Sequence, residues 1–169
     1  MLLAEKEYGS LGRRTDEILR HANSNSMNTV LGASNYRIGQ KAEARGNSAL
    51  TDTERKFCAI QSLEAEVNNG GFDQYFFNSA GGDAEMALAG LKEMGASSAA
   101  VLLERAMAVF PGSKPPSDRS QRWKVMDKIK AHSEPVWEKC DSEFYKLNES
   151  LGDLSLAYAI KKRTEIILP

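Results

Sequence analysis

The chain has 169 residues, 41% hydrophobic and 27% charged, with a formal net charge of −1. That length suits one compact domain that buries a core without a disulfide or metal staple, and the balanced charge gives no global bias toward nucleic acid or membrane. The start, MLLAEKEYGSLGRR, lacks the pattern of a signal peptide, and no stretch reaches the roughly 20 apolar residues that span a bilayer, so a cytoplasmic protein is expected.

Residues 1–49 read as an N-terminal arm, partly helical. Thr15 is placed to cap a short helix over DEILRHAN, NSNSMNT reads as a loop, and residues 36–46 carry alternating charge with little apolar content. The signals sharpen over 50–169, the expected main domain. Thr51-Asp52-Thr53-Glu54 is a capping box, and Phe57, Ile60, Leu63 and Val67 form one apolar stripe behind it. Gly70-Gly71 stops that helix.

FDQYFFNSA then predicts a helix of two turns, and Gly81-Gly82 breaks it. Asp83 is expected to cap AEMALAGLKEM, Ser97 to cap SAAVLLERAMAVF, Ser117 to cap DRSQRWKVMDKIKA, Ser133 to cap EPVWEKCDSEFYKLN and Asp153 to cap LSLAYAIKKRTEIIL. No period-2 strand appears. The fold expected is all-α, an irregular bundle of about seven helices with short connectors.

Glu66 to Asn78, EVNNGGFDQYFFN, is the most unusual segment. If a helix restarts near Phe72, Gln74 and Asn78 share one face at i and i+4, while Tyr75 and Phe76 point to the core. Buried carboxamides need partners, and Glu66 is a candidate acceptor for either. The reading favoured is a polar staple that locks two helices at their corner. A ligand pocket lined by Asn69, Gln74 and Asn78 is the alternative, which would make the protein a small-molecule binder or an unrecognised hydrolase. A catalytic role is disfavoured, because carboxamides do not exchange protons near neutral pH.

The run E-x-x-N-G-G-x-x-Q-Y-x-x-N, met here at Glu66, Asn69, Gly70, Gly71, Gln74, Tyr75 and Asn78, resembles the signature of a bacterial helical family. That family is named after a Neisseria DNA-mimic protein, and most of its members are otherwise a domain of unknown function. The resemblance extends over about residues 50–168. It implies an all-helical domain. It also implies, from the namesake, a dimer whose acidic surface imitates DNA phosphates and occupies a DNA-binding regulator. Such mimicry calls for strong overall acidity, whereas this chain is almost neutral.

Its acids are nonetheless unevenly spread. From Phe57 to Leu91 there is no Lys or Arg, against Glu64, Glu66, Asp73, Asp83 and Glu85. The expectation is a non-catalytic interaction module that meets a basic or DNA-binding protein through this acidic stretch, its salt-sensitive steering coming from Glu64, Asp73, Asp83 and Glu85. An immunity or antitoxin-like protein is a third reading. No direct nucleic-acid binding, cofactor or metal is expected.

His21 and His132 have no metal-ligand spacing, and His132 is placed at a helix junction. Cys58 and Cys140 lack CxxC spacing and read as inert thiols. Lys124 and Lys128 read as a solvated face, and Trp123 and Trp137 as packing residues.

Overall fold

The structure, a computed structural model, describes residues 6–23 and 25–168. It is all-α, with no strand among the described residues. In chain order the helices are α1 (Thr15–Leu19), α2 (Met27–Arg45), α3 (Asp52–Phe77), α4 (Ala84–Met94), α5 (Ser97–Met107), α6 (Arg119–Phe144) and α7 (Leu151–Lys161). Short 3-10 turns punctuate them at Gly9–Leu11, Asn47–Ala49, Ser79–Asp83 and Pro111–Ser113. The residues fall into two compact units. One is made of residues up to Cys58 together with those from Leu151, and the other is Ala59–Ser150, so the division lies within α3.

In the first unit, α2 packs on both α1 and α7. The sequence predicts an arm that is only partly helical here, yet α2 is a regular helix of 19 residues. Its N-terminus is capped by Ser26, whose hydroxyl accepts the Thr29 N–H, so the expected NSNSMNT loop is shorter than predicted. The buried stripe of α2 contains Ser34, Arg37 and Lys41 beside Val30, Leu31, Ala33 and Ile38. Polar residues on the inner face hide the apolar period that would announce a helix.

Each of those polar groups is partnered. Ser34 donates to the Val30 carbonyl at 3.0 Å, Arg37 to the Gly12 carbonyl at 3.3 Å, and Lys41 to both oxygens of Glu54 at 2.9 and 2.8 Å.

Glu54 anchors this unit. The predicted capping box forms, with Glu54 N–H donating to Thr51 Oγ1 at 3.1 Å and Thr51 N–H to Glu54 Oε2 at 2.8 Å. The same carboxylate accepts the Ile167 N–H at 2.7 Å, while Lys41 donates to the Ile167 carbonyl at 2.9 Å. A buried ion pair thus holds both polar groups of one backbone unit in the C-terminal segment. Thr51 and Thr15 add bonds to the carbonyls of Glu165 and Ile166. Thr15 is therefore not the cap expected of it. It lies inside α1, and Arg14 takes the N-cap position.

In the second unit, α5 packs between α4 and α6. Its core gathers Ile60, Leu63, Val67, Phe72, Tyr75, Phe76, Leu91, Leu102, Leu103, Phe110, Trp137 and Phe144, all buried. Phe76 sits at the centre of an aromatic cluster, with ring centroids 4.9 Å from Phe110 and 5.3 Å from Trp137.

Gly95 ends α4 in the left-handed conformation, with φ 84°. Several caps differ from the sequence reading. Asp83 holds the N-cap position of α4 without a side-chain bond. Ser97 opens α5 instead of capping it, and the Glu149 carboxylate receives the free N–H groups of Ser98 and Ala99. Asp118, one residue past Ser117, caps α6 by accepting the Gln121 N–H at 2.8 Å.

The predicted break at Ser133 is absent. The helix α6 runs continuously for 26 residues through Pro135. Pro135 is exposed, as is Ala131, so the carbonyl that the missing N–H would have paired lies where water reaches it. His132 accordingly lies in a helix interior, not at a junction. Likewise Asp153 sits in the first turn of α7, which starts at Leu151.

Candidate functional site

The signature segment forms a helix corner within α3. Gly70 and Gly71 leave helical geometry, and Gly71 takes φ 74°, ψ −175°. That conformation favours glycine. A Cβ at Gly71 would also run into the Asp141 carboxylate. The absence of a side chain lets Asp141 reach the restarted helix, where its Oδ1 accepts the Phe72 N–H at 2.8 Å.

One turn along α6, Tyr145 donates its hydroxyl to the Val67 carbonyl at 2.8 Å. The end of α6 therefore satisfies one orphan carbonyl before the kink and one orphan N–H after it. Burial pushes the Asp141 carboxyl above its usual range. The Phe72 N–H opposes that shift, and the charges of Asp73 and Glu138 add to it.

Glu66 staples the inside of the corner. Its Oε2 accepts from Gln74 Nε2 at 2.7 Å and from Asn78 Nδ2 at 2.9 Å. Both carboxamides turn to the same acid. Tyr75 is buried beside Phe76, and its hydroxyl has no hydrogen-bond partner among the described residues. Burial raises its pKa, with the Asp83 charge adding to the shift. Asn69, by contrast, is exposed at the kink.

The far end of the segment is held by Arg122, which sequence reasoning passed over. Its guanidinium is fully buried. It donates to the carbonyls of Phe76 at 2.6 Å, Asn78 at 2.7 Å, Pro116 at 2.6 Å and Ser117 at 3.0 Å. The Phe76 and Asn78 carbonyls are acceptors at the end of the signature helix, and those of Pro116 and Ser117 belong to the connector that leads into α6. Desolvation lowers the Arg122 pKa. A Cβ on Gly81 would lie 2.7 Å from the Phe76 Cα and 3.0 Å from Arg122 Nε, so Gly81 leaves the guanidinium its place.

Outside this frame lies an exposed aromatic pair. Phe77 is 49% exposed and Trp123 38% exposed, and their rings stack at 4.8 Å and 19°. The Trp123 indole donates to the Phe77 carbonyl at 2.7 Å. Trp123 packs against another helix, as expected, but at the surface and not in the core, whereas Trp137 is buried and bonds to the Ala106 carbonyl at 3.0 Å. Arg119 lies 4.6 Å and 5.7 Å from the two ring centroids. It donates to the Phe77 carbonyl at 3.1 Å and to Asn78 Oδ1 at 3.3 Å.

Beside the pair runs a groove of about 340 Å³ lined by Asp73, Phe77, Met126, Asp127 and Trp137 among others. Asn69, Gln74 and Asn78 do not line it.

A family model matches residues 48–163, well over half of the chain, and its description is a DMP19-like protein. The chain belongs to the DMP19-like family. The matched span contains the whole of the kinked helix, the Glu66 staple and the Arg122 clip. No curated protein and no solved structure matches the chain.

Within this family member the acids of the basic-free stretch have separate surroundings. Glu64 is half-buried, and burial raises its carboxyl pKa. Glu66 is committed to the staple. Asp73 and Asp83 are exposed, and Glu85 is exposed but pairs with Lys114 at 3.1 Å. The one of them that meets the groove is Asp73, joined there by Asp127 and Glu134 from α6. Those two lie outside the stretch that the sequence singled out, and only the packing of α6 reveals them.

His21 sits 3.4 Å from Asn25, and His132 is exposed. Cys58 and Cys140 are not joined in a disulfide. Burial raises the Cys140 pKa, against the opposing pull of Arg105, whose Nε lies 3.2 Å from the sulfur. Among the described residues, no group of three or more His, Cys, Asp or Glu is placed to hold a metal ion, and no helix is long and apolar enough to cross a membrane.

Proposed function

We propose that this DMP19-like protein is a non-catalytic interaction module that binds a basic protein, such as a DNA-binding regulator, through an acid-rimmed surface on its Ala59–Ser150 unit. The observation that carries this reading is the division of labour at the signature segment. Its conspicuous polar groups are spent on holding the corner, since Gln74 and Asn78 both donate to Glu66. What they hold up is an exposed surface, where Phe77 and Trp123 stand beside Asp73 and Asp127.

Carboxamides that anchor a helix are poor proton-transfer groups, which favours binding over turnover. The family description, which places the chain with a DMP19-like protein, supports a partner of protein type. Under this reading the protein resides in the cytoplasm, where its partners are, and a homodimer is the assembly inferred from the namesake.

The test is affinity capture from cell extract with the purified chain as bait, run at low and at high salt. Basic or DNA-binding proteins should be enriched at low salt and lost at high salt, since exposed charges are screened beyond about 10 Å at 0.1 M ionic strength. Recovery of no basic partner at low salt would overturn the proposal.

A further inference from the structure

The geometry points to the groove between the signature helix turn and α6 as a socket for an arginine side chain presented by a basic segment of the protein partner. The inference rests on the interaction reading above and makes it specific.

The deep part of the groove is apolar, with Met126 8% and Trp137 2% exposed. The outer part is made of the half-exposed Phe77 and Trp123 and the exposed carboxylates Asp73 and Asp127. Neither Asp73 nor Asp127 has a hydrogen-bond or ion-pair partner among the described residues. Glu134 also lines the groove, and its partner Lys130 stands 3.7 Å away in an exposed pair one helical turn apart. Such pairs contribute little and exchange readily. Three carboxylates against one ammonium leave the groove negative.

An occupant must therefore combine a cation with an apolar stem. Lysine and arginine both do. The aromatic pair selects between them, because a planar guanidinium stacks on ring faces and bonds a carboxylate through two parallel N–H groups, whereas an ammonium is a compact, strongly hydrated point charge. The molecule shows the first of these contacts internally, as Arg119 packs against the same two rings. Arg119 does not line the groove, so the groove side of the pair is left for a second guanidinium.

This surface differs from one that imitates a row of phosphates. Recognition here is by shape and stacking at one side chain, with charge confined to the rim. Phosphate imitation would spread many carboxylates at even spacing.

The test uses two short tryptophan-free peptides, one of arginine, leucine and serine and its twin with lysine in place of each arginine. Binding is measured by calorimetry and by shielding of Trp123 fluorescence from acrylamide. The arginine peptide should bind roughly five-fold tighter than its twin, the scale of an exposed guanidinium–aromatic contact. The Asp73→Asn/Asp127→Asn double variant should weaken it about ten-fold, and Trp123→Leu should remove the preference for arginine.

Asp83→Asn and Glu85→Gln, on exposed acids away from the groove, should leave the affinity unchanged. Thermal melts of each variant separate lost binding from lost fold. Equal affinity for the two peptides, or loss of binding in the Asp83 and Glu85 variants but not in the groove variants, would overturn the socket while leaving a basic partner intact. Failure of both peptides to bind while low-salt capture recovers a basic protein would also overturn the socket alone. Failure of peptides and capture together would remove the interaction reading itself.

Discussion

Replacing Arg122 by methionine isolates the contribution of the buried guanidinium. The side chain keeps its approximate length and apolar stem, but four backbone carbonyls lose their donor: those of Phe76, Asn78, Pro116 and Ser117. Hydrogen bonds to a charged group contribute roughly 1.5–3 kcal/mol each before the burial penalty of the charge is counted. That penalty is large for a fully buried cation and offsets much of the sum. Each buried carbonyl left unsatisfied costs about 1–3 kcal/mol, and relief of the buried charge returns part of the total, so we expect Arg122→Met to cost about 3–5 kcal/mol net.

For a chain of this size each kcal/mol moves Tm by about 2–4 °C, so Tm should drop by roughly 6–20 °C. Urea unfolding followed by far-UV circular dichroism and by tryptophan fluorescence measures this directly, and the two probes together reveal any departure from a single transition. Arg122→Lys should recover at most about half of the loss, since one ammonium has three donors and no fork to span four acceptors. A loss below about 1 kcal/mol for Arg122→Met would refute the idea that this guanidinium clips the end of the signature helix.

Three further outcomes follow from the same geometry. Asp141→Ala should destabilise by about 1 kcal/mol, the usual value of a lost helix cap. Asp141→Asn should be near neutral, because its amide oxygen still accepts the Phe72 N–H while the repulsion from Asp73 and Glu138 is relieved. Chemical denaturation of both variants checks the contrast. Lys41→Met should cost about 3–5 kcal/mol by leaving the buried Glu54 carboxylate uncompensated, and the double variant Lys41→Met/Glu54→Leu should be less destabilised than the single in the same assay.

Glu17 should titrate by NMR with a midpoint of about 2, held down first by the backbone N–H of Arg13, then by the N–H and side chain of Arg14. A folded pKa below the unfolded value means that its contribution is present above the ordinary glutamate range and is lost as pH falls toward 2.

The helical class was legible because glycines, prolines and caps punctuate the second half of the chain. The Thr51–Glu54 capping box could be anticipated because it is local, and the Glu66 staple because Gln74 and Asn78 share one helix face just past the glycine break that follows Glu66. Three features were not. The helix α2 was hidden because Ser34, Arg37 and Lys41 occupy buried positions, their partners lying far along the chain at Gly12 and Glu54 or just one turn back at Val30. Pro135 suggested a boundary, but an exposed proline in a long helix is tolerated when solvent takes the freed carbonyl. Arg122, Asp141 and Tyr145 looked like ordinary members of a mixed-charge helix. Their roles depend on where α6 passes the corner, which no local pattern encodes. Gly81, beside Arg122, was the one available hint, although a glycine pair reads equally well as a simple break.

The Asn78 side chain works as an insulator between opposite charges. Its amide N–H donates a hydrogen bond to Glu66 and its carbonyl oxygen accepts one from Arg119. A carboxylate at this position would suit Arg119 and repel Glu66, and an ammonium would do the reverse, so a neutral group with both polarities is the chemistry that serves both neighbours. With the spacer in place the acid stays in the corner and the arginine stays against Phe77 and Trp123. Shortened to alanine, position 78 would leave the two charges free to collapse into a direct ion pair. The arginine would then be drawn off the rings, and a change made at the staple would be felt at the molecule's aromatic face.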